Sequence, residues 1–186
     1  FHSSAKKIIP LSVKGFLFYQ GGSDHQNCRI YEEGLKSLIA SIRKNFLNPE
    51  LPFIYVQIAN YSYPGTEKDA IPIVREAQNN CIDVNNHVFM VSALDQGESE
   101  NIHPRDKRIV SKRLADVILE YIYKANDHSL SPQYLSHQIL KDESILISLK
   151  NNDLPIKSLS GLNKGFFAIG DDLEIKPIQN VVINAN

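Results

Sequence analysis

The sequence predicts an α/β chain built on a parallel sheet with helices on both faces, a three-layer arrangement. Short apolar runs with little polar alternation take turns with segments of helical periodicity through the first two-thirds of the chain. After about residue 126 the character changes. Short β-type runs separated by Asn, Asp, Gly and Pro predict the start of a small β-sandwich-like segment there. The expected division is therefore 1–125 and 126–186.

The elements follow in order. "VKGFLFYQ" (13–20) is an apolar run bounded by turn residues and reads as a buried strand. Residues 28–46 place Ile30, Leu35, Leu38, Ile39, Ile42 and Phe46 at helical spacing. "LPFIYVQIA" (51–59) is the second strand, and "PIVREAQNN" (72–80) a short helix with Pro72 at its first position. "HVFMVSAL" (87–94) is the third strand. A last helix is expected from Pro104 to about Lys124, with Val110, Leu114, Val117, Ile118 and Tyr121 on one face. Beyond it, "ANDHSLSPQ" reads as a linker, followed by β-type runs at 144–150, 165–170 and 180–185.

Composition narrows the classes of function. Apolar residues make up 42% of the 186, enough for a packed core, and the net charge is −1 from 20 basic and 21 acidic side chains. These charges are interspersed, so neither a nucleic-acid stripe nor an acidic arm is expected. The apolar runs are too short to span a bilayer as helices, so no membrane partner is expected. Cys28 and Cys81 are compatible with a disulfide or with two buried thiols; no zinc spacing is present, and neither metal nor cofactor is expected. Asn60-Tyr61-Ser62 matches a glycosylation triplet, a pattern common by chance. The chain opens on Phe1 with no signal peptide, and a processed, trimmed or partial chain is expected.

In sheets of this type, ligands bind beyond the carboxyl ends of the strands. The loops there are "QGGSD" (20–24), "NYSY" (60–63) and "DQGESENIH" (95–103), which should converge in space. His103 stands before Pro104, a position biased to extended backbone, and reads as the cap of the last helix. The positive helix end disfavours imidazolium, leaving a neutral ring suited to general-base work. Glu100 and Asp95 are candidates to orient it, with Glu98 a weaker one. A plain capping histidine in a solvated acidic loop fits the same residues. Gln20, Gly21 and the glycine after them offer amide donors with no Cβ in the way, as an oxyanion hole requires. Asn60 in the middle loop joins Gln20 and Gly21 as a substrate-binding or oxyanion candidate. Glycines in a strand-to-helix turn need no such role, and Ser23 in a short Gly-x-Ser-like turn is a weak nucleophile candidate.

The series "KGFLFYQGGSD", "LPFIYVQIANY", "VREAQ" and "NIHPRDK…RLA" resembles the sialate O-acetylesterase family of SGNH-type carbohydrate esterases. Family sequences read approximately Lys-Gly-x-x-Trp-Tyr-Gln-Gly-Glu-Ser-Asn, a strand with Val-Gln-Leu, Arg-Glu-Ala-Gln, and Asp-Ile-His-Pro-x-x-Lys. The match covers roughly residues 8–118, and more weakly the β-rich remainder. The resemblance implies a partial SGNH/flavodoxin-like domain in 1–125, with a partial β-rich domain after it. It also implies serine-type hydrolysis of acetyl esters on sialic acid or a related sugar, in a secreted, periplasmic or lysosomal-type compartment. It makes His103 the catalytic histidine, Gln20 and Gly21 the oxyanion or positioning group, and Ser23 not the nucleophile. The nucleophile would come from an upstream Gly-Gln-Ser-Asn block on an N-terminal segment or companion subunit. Three positions depart from the pattern: Gly22 replaces Glu, Asn101 replaces Asp, and Phe18 replaces Trp. Glu100, three residues before His103, could supply the acid. The alternative is a catalytically degenerate relative that binds sugar or serves as a structural domain. A third reading, a self-sufficient hydrolase using Ser23, remains open.

Overall fold

A computed structural model of the chain describes residues 7–9, 11–125, 132–150, 167–169, 175–178 and 181–182. Two compact units divide it, Phe1–Leu130 and Ser131–Asn186. In the first unit the elements alternate: β1 (Phe16–Phe18), α1 (Tyr31–Asn45), β2 (Phe53–Gln57), α2 (Ala70–Asn80), β3 (Val88–Ser92) and α3 (Arg108–Val117). The sheet runs β1-β2-β3, all parallel, with Phe16 opposite Phe53 and Phe53 opposite Val88.

The side-chain alternation of the central strand explains the layers. Phe53 and Tyr55 point to one face and meet Leu35, Ile39 and Ile42 of α1 and Ile71, Val74 and Ala77 of α2. Ile54 and Val56 point to the other and meet Val110 and Val117 of α3, with Phe89 and Val91 beside them from β3. All four residues of β2 from Phe53 to Val56 are 1% exposed. A strand buried on both sides must be apolar at every position, which is why it reads as an unbroken run rather than an alternating one. Burial of each such large side chain contributes about 1.5–3 kcal/mol. The α/β parallel-sheet class expected from the sequence is therefore the observed one.

Boundaries differ in instructive ways. The helix expected from residue 28 begins at Tyr31, preceded by 3₁₀ turns over Gly22–Ile30 with a kink at Asn27. Ile30 consequently leaves the buried stripe and is 61% exposed. Helix α2 starts at Ala70, so Pro72 occupies its third position; the first-turn N–H groups have no intrahelical acceptor, and proline there removes nothing. Helix α3 starts at Arg108, not at Pro104, and ends in a π-turn over Ile118–Ile122. Cys28 and Cys81 are both buried free thiols.

In the second unit β4 (Gln133–Ile139) pairs with β5 (Ile145–Lys150) and β6 (Phe167–Ile169) with β7 (Ile175–Pro177), both antiparallel. Strand β4 lies in a stretch that sequence pattern left unassigned. Most of the 180–185 run lies outside the described residues.

Candidate active site

The three loops at the carboxyl ends of the strands do meet. A Cβ built on Gly22 would lie 3.2 Å from the Ile102 side chain and 3.3 Å from the Tyr63 hydroxyl, so first, second and third loops touch around one glycine. The Ser62 N–H donates to the Ser99 carbonyl at 3.2 Å, and the Ser62 hydroxyl donates to the same oxygen. Gly97 packs so closely on the Asn60 backbone that a Cβ there would fall 1.8 Å from the Asn60 carbonyl oxygen. Lys107 lies 5.8 Å over the Tyr19 ring, tying the end of the first strand to the segment after His103.

Gly21 is the geometric pivot of the first loop. Its φ of 140° is a conformation that L side chains rarely adopt, and a Cβ would sit 2.9 Å from both Ile58 and the Tyr31 hydroxyl. Beneath it lies a residue that pattern reading passed over. Gln78 of "VREAQ" is 1% exposed. Its side-chain N–H₂ lies 3.3 Å from the Gln20 carbonyl, 3.3 Å from the Tyr31 hydroxyl and 3.4 Å from the Val56 carbonyl. Its Oε1 accepts the Ile58 N–H at 3.0 Å. One buried amide thus joins the end of β1, the end of β2 and helix α1. The Tyr31 hydroxyl also donates to the Gln20 carbonyl, at 3.1 Å, and burial pushes its pKa up to about 12. The Gln20 carbonyl is therefore engaged in the scaffold. Its side-chain amide is exposed and donates to Asp24, leaving one further N–H for a ligand.

The third loop is organised by Glu98 and Asn101. Glu98 Oε1 accepts the Arg105 N–H at 2.6 Å, and Glu98 Oε2 accepts from the Asn101 amide at 3.5 Å. Asn101 Oδ1 accepts the His103 N–H at 3.0 Å, an Asx turn. These bonds satisfy the backbone without a helix, so His103 is not a helix cap. The first turn of α3 is instead served by Asp106, whose carboxylate accepts the Arg108 N–H at 2.9 Å. His103 is exposed, and among the described residues no hydrogen bond reaches its ring.

The two candidate acids differ. Asp95 is gripped by Arg113 through two bonds of 2.6 and 2.7 Å, with Gln96 adding a third at 2.9 Å. Those Arg113 bonds, above all, hold its carboxyl near pKa 2. Arg113 also donates to the Ser92 carbonyl at 2.7 Å, so the pair clamps the end of β3 to α3. Glu100 is exposed at the loop tip with no partner among the described residues. Asn60 is exposed, and its backbone rather than its side chain contacts Gly97. Ser23 is exposed on the 3₁₀ turn. No cluster of three or more His, Cys, Asp or Glu side chains suited to a metal ion occurs among the described residues. No helix among them is long and apolar enough to cross a membrane.

No curated protein matches the chain. A carbohydrate acetylesterase from Xanthomonas citri superposes with TM-score 0.79 at 23% identity, covering 91% of this chain and 40% of that one. A protein from Arabidopsis thaliana gives TM-score 0.51 at 27% identity over 60% of this chain and 46% of that one. The chain thus spans less than half the length of either structure. The first of these likenesses establishes the fold. The family described as "Carbohydrate esterase, sialic acid-specific acetylesterase" matches residues 2–120, a stretch that holds all three converging loops, and the chain belongs to that family.

Proposed function

We propose that these residues form part of the active site of a carbohydrate O-acetylesterase that acts on O-acetylated sialic acid or a related sugar. The observation that carries the reading is the meeting of Gly22 with Ile102, which brings the amide-rich first loop against the residue before His103 within the family-matched segment. In this reading His103 is general base and acid, and Glu100 is the orienting carboxylate, three residues earlier. Asp95 is the less suitable acid because both its oxygens are engaged by Arg113. Gln20, with its remaining side-chain N–H, and Gly21 stabilise the oxyanion. The Asn60 side chain, free of the scaffold, contacts the sugar.

The serine nucleophile is supplied from outside these 186 residues. Support comes from β1, whose outer edge is unpaired among the described residues and whose Leu17 is 54% exposed. A further parallel strand would cover it. The test is hydrolysis of 9-O-acetylated sialic acid by the complete protein and by its His103→Ala variant. Loss of kcat by a factor of roughly 10³ or more is expected if the ring is base and acid. Unchanged turnover would remove His103 from the chemistry.

A specific observation favours a second reading, the catalytically degenerate sugar-binding or structural relative: no carboxylate among the described residues bonds the His103 ring. Under that reading the complete protein binds the acetylated sugar without releasing acetate. A serine-reactive phosphonate that labelled Ser23 in the 186-residue chain would instead establish the self-sufficient hydrolase.

A further inference from the structure

Arg75, on α2, reaches the loop cluster from below. Its Nη2 donates to the Ala59 carbonyl at 3.2 Å, at the root of the 60–63 loop. Its Nε is sealed from solvent with no hydrogen-bond partner, whereas Nη1 is unbonded among the described residues and not sealed. No acidic side chain pairs with it among the described residues; the half-buried Arg43 also lacks a carboxylate there, but its Nε and Nη2 both donate to carbonyls, whereas the Arg75 Nε has no partner. Burial lowers its pKa from the ordinary value, against an opposing contribution from the nearby Tyr63. Tyr63 stacks edge-on against Tyr61 at 5.0 Å, and its hydroxyl faces Gly22. A half-buried guanidinium that has neither a counter-ion nor a partner for its sealed Nε is an expensive arrangement. Here it holds the root of the loop that carries Tyr61 and Tyr63, rings that suit the apolar face of a sugar.

We propose that Arg75, which holds the root of the loop carrying Tyr61 and Tyr63, is the specificity-determining group that receives a carboxylate carried by the sugar. This rests on the esterase or sugar-binding reading of the same loops. Guanidinium and carboxylate match in charge and in their paired donors and acceptors. An incoming carboxylate would supply the missing counter-charge.

The experiment is ligand binding by saturation-transfer NMR and calorimetry on the complete protein, with N-acetylneuraminic acid and its C1 methyl ester as probes. Binding of the free sugars needs no ester hydrolysis, so the result does not depend on turnover. The acid should bind roughly tenfold or more tighter than the methyl ester, as loss of one charge-assisted contact implies. Arg75→Gln should bring the ratio of acid to methyl-ester affinity to about one, and Arg75→Lys should retain part of the preference. A purely structural Arg75 would weaken both ligands together. Equal binding of acid and ester to the unaltered protein overturns the assignment without reference to any variant, so a poorly folding variant does not shield it. If neither sugar binds while acetyl esters are hydrolysed, the carboxylate assignment fails and the esterase reading stands. If neither sugar binds and no acetyl ester is hydrolysed, both readings fail.

Discussion

Replacing Gly97 by alanine should separate the second and third loops. The Gly97 backbone is extended, with φ −84° and ψ 164°, so alanine is not strained there and the effect is purely steric. The added Cβ would lie 1.8 Å from the Asn60 carbonyl oxygen and 2.5 Å from its carbon and nitrogen. Ordinary contact begins at 3.4 Å, so the Asn60 segment must retreat by about 1.6 Å. That segment is not free to move, because Ile58 is held by Gln78 and Ala59 by Arg75. The retreat would instead break the two bonds from Ser62 to the Ser99 carbonyl. Overpacking of this kind costs about 1–3 kcal/mol, and two lost hydrogen bonds add about 1 kcal/mol each. A total of about 3–5 kcal/mol should lower the urea midpoint by about 1.5–2.5 M at a slope of about 2 kcal/mol/M. Gly34, exposed on α1 with nothing within 4 Å of an added Cβ, is the internal control. Gly34→Ala should stabilise by about 0.5–1 kcal/mol because helix interiors favour alanine over glycine. A Gly97→Ala loss below about 0.5 kcal/mol, measured against that control, would refute the close packing of the two loops.

Other perturbations probe the scaffold under the site. Gln78→Leu keeps the volume but orphans the buried Ile58 N–H and frees the Gln20 and Val56 carbonyls; a loss of about 2–4 kcal/mol in chemical denaturation is expected, and a neutral result would contradict the buried amide network. Asp95, held near pKa 2 by Arg113, contributes stability that is complete above its ordinary value of 3.8 and is lost as pH falls from there towards 2. Asp95→Asn should therefore flatten the stability profile between about pH 4 and 2. Because its side chain is 55% exposed, the effect at neutral pH should stay near or below about 1 kcal/mol. An unchanged acid limb in thermal melts across that range would argue against the Asp95–Arg113 clamp.

What the sequence made legible was what burial dictates. Strands β2 and β3 sit between two helical layers and β1 packs Phe16 and Phe18 against one of them, so their apolar runs could be read directly, although each proved shorter than its run. Helix faces were legible for the same reason. Gln78 was not, because a buried glutamine in a helix has the same letter as an exposed one; only the buried groups around it reveal its task. The start of α3 was misplaced because Pro104 and the following periodicity look like a helix entrance. The structure delays that entrance to Arg108, since Glu98 and Asn101 satisfy the Arg105 and His103 N–H groups from the side. Such side-chain-to-backbone bonds compete with helix formation and leave no periodic trace. Strand β4, mixed in polarity and exposed along most of its length, offered no burial signal at all. At the site, convergence of the three loops followed from topology, while the partner of each carboxylate did not.

The exchange of aspartate for Asn101 can be understood in these local terms. An amide cannot steady an imidazolium as a carboxylate does, and from sequence alone the change looks like a loss of chemistry. In the structure Asn101 has a different occupation. Its Oδ1 shapes the turn by accepting the His103 N–H, and its Nδ2 faces the Glu98 carboxylate. An aspartate could do the first but would set two like charges against each other in the second. With Glu98 committed to anchoring Arg105, the amide is the residue that keeps the loop closed. In the esterase reading proposed above, the group that orients the His103 ring would be a neighbour not already bonded. Among Asp95, Glu98 and Glu100, only Glu100 is unspent, and it stands three residues before the histidine it would serve.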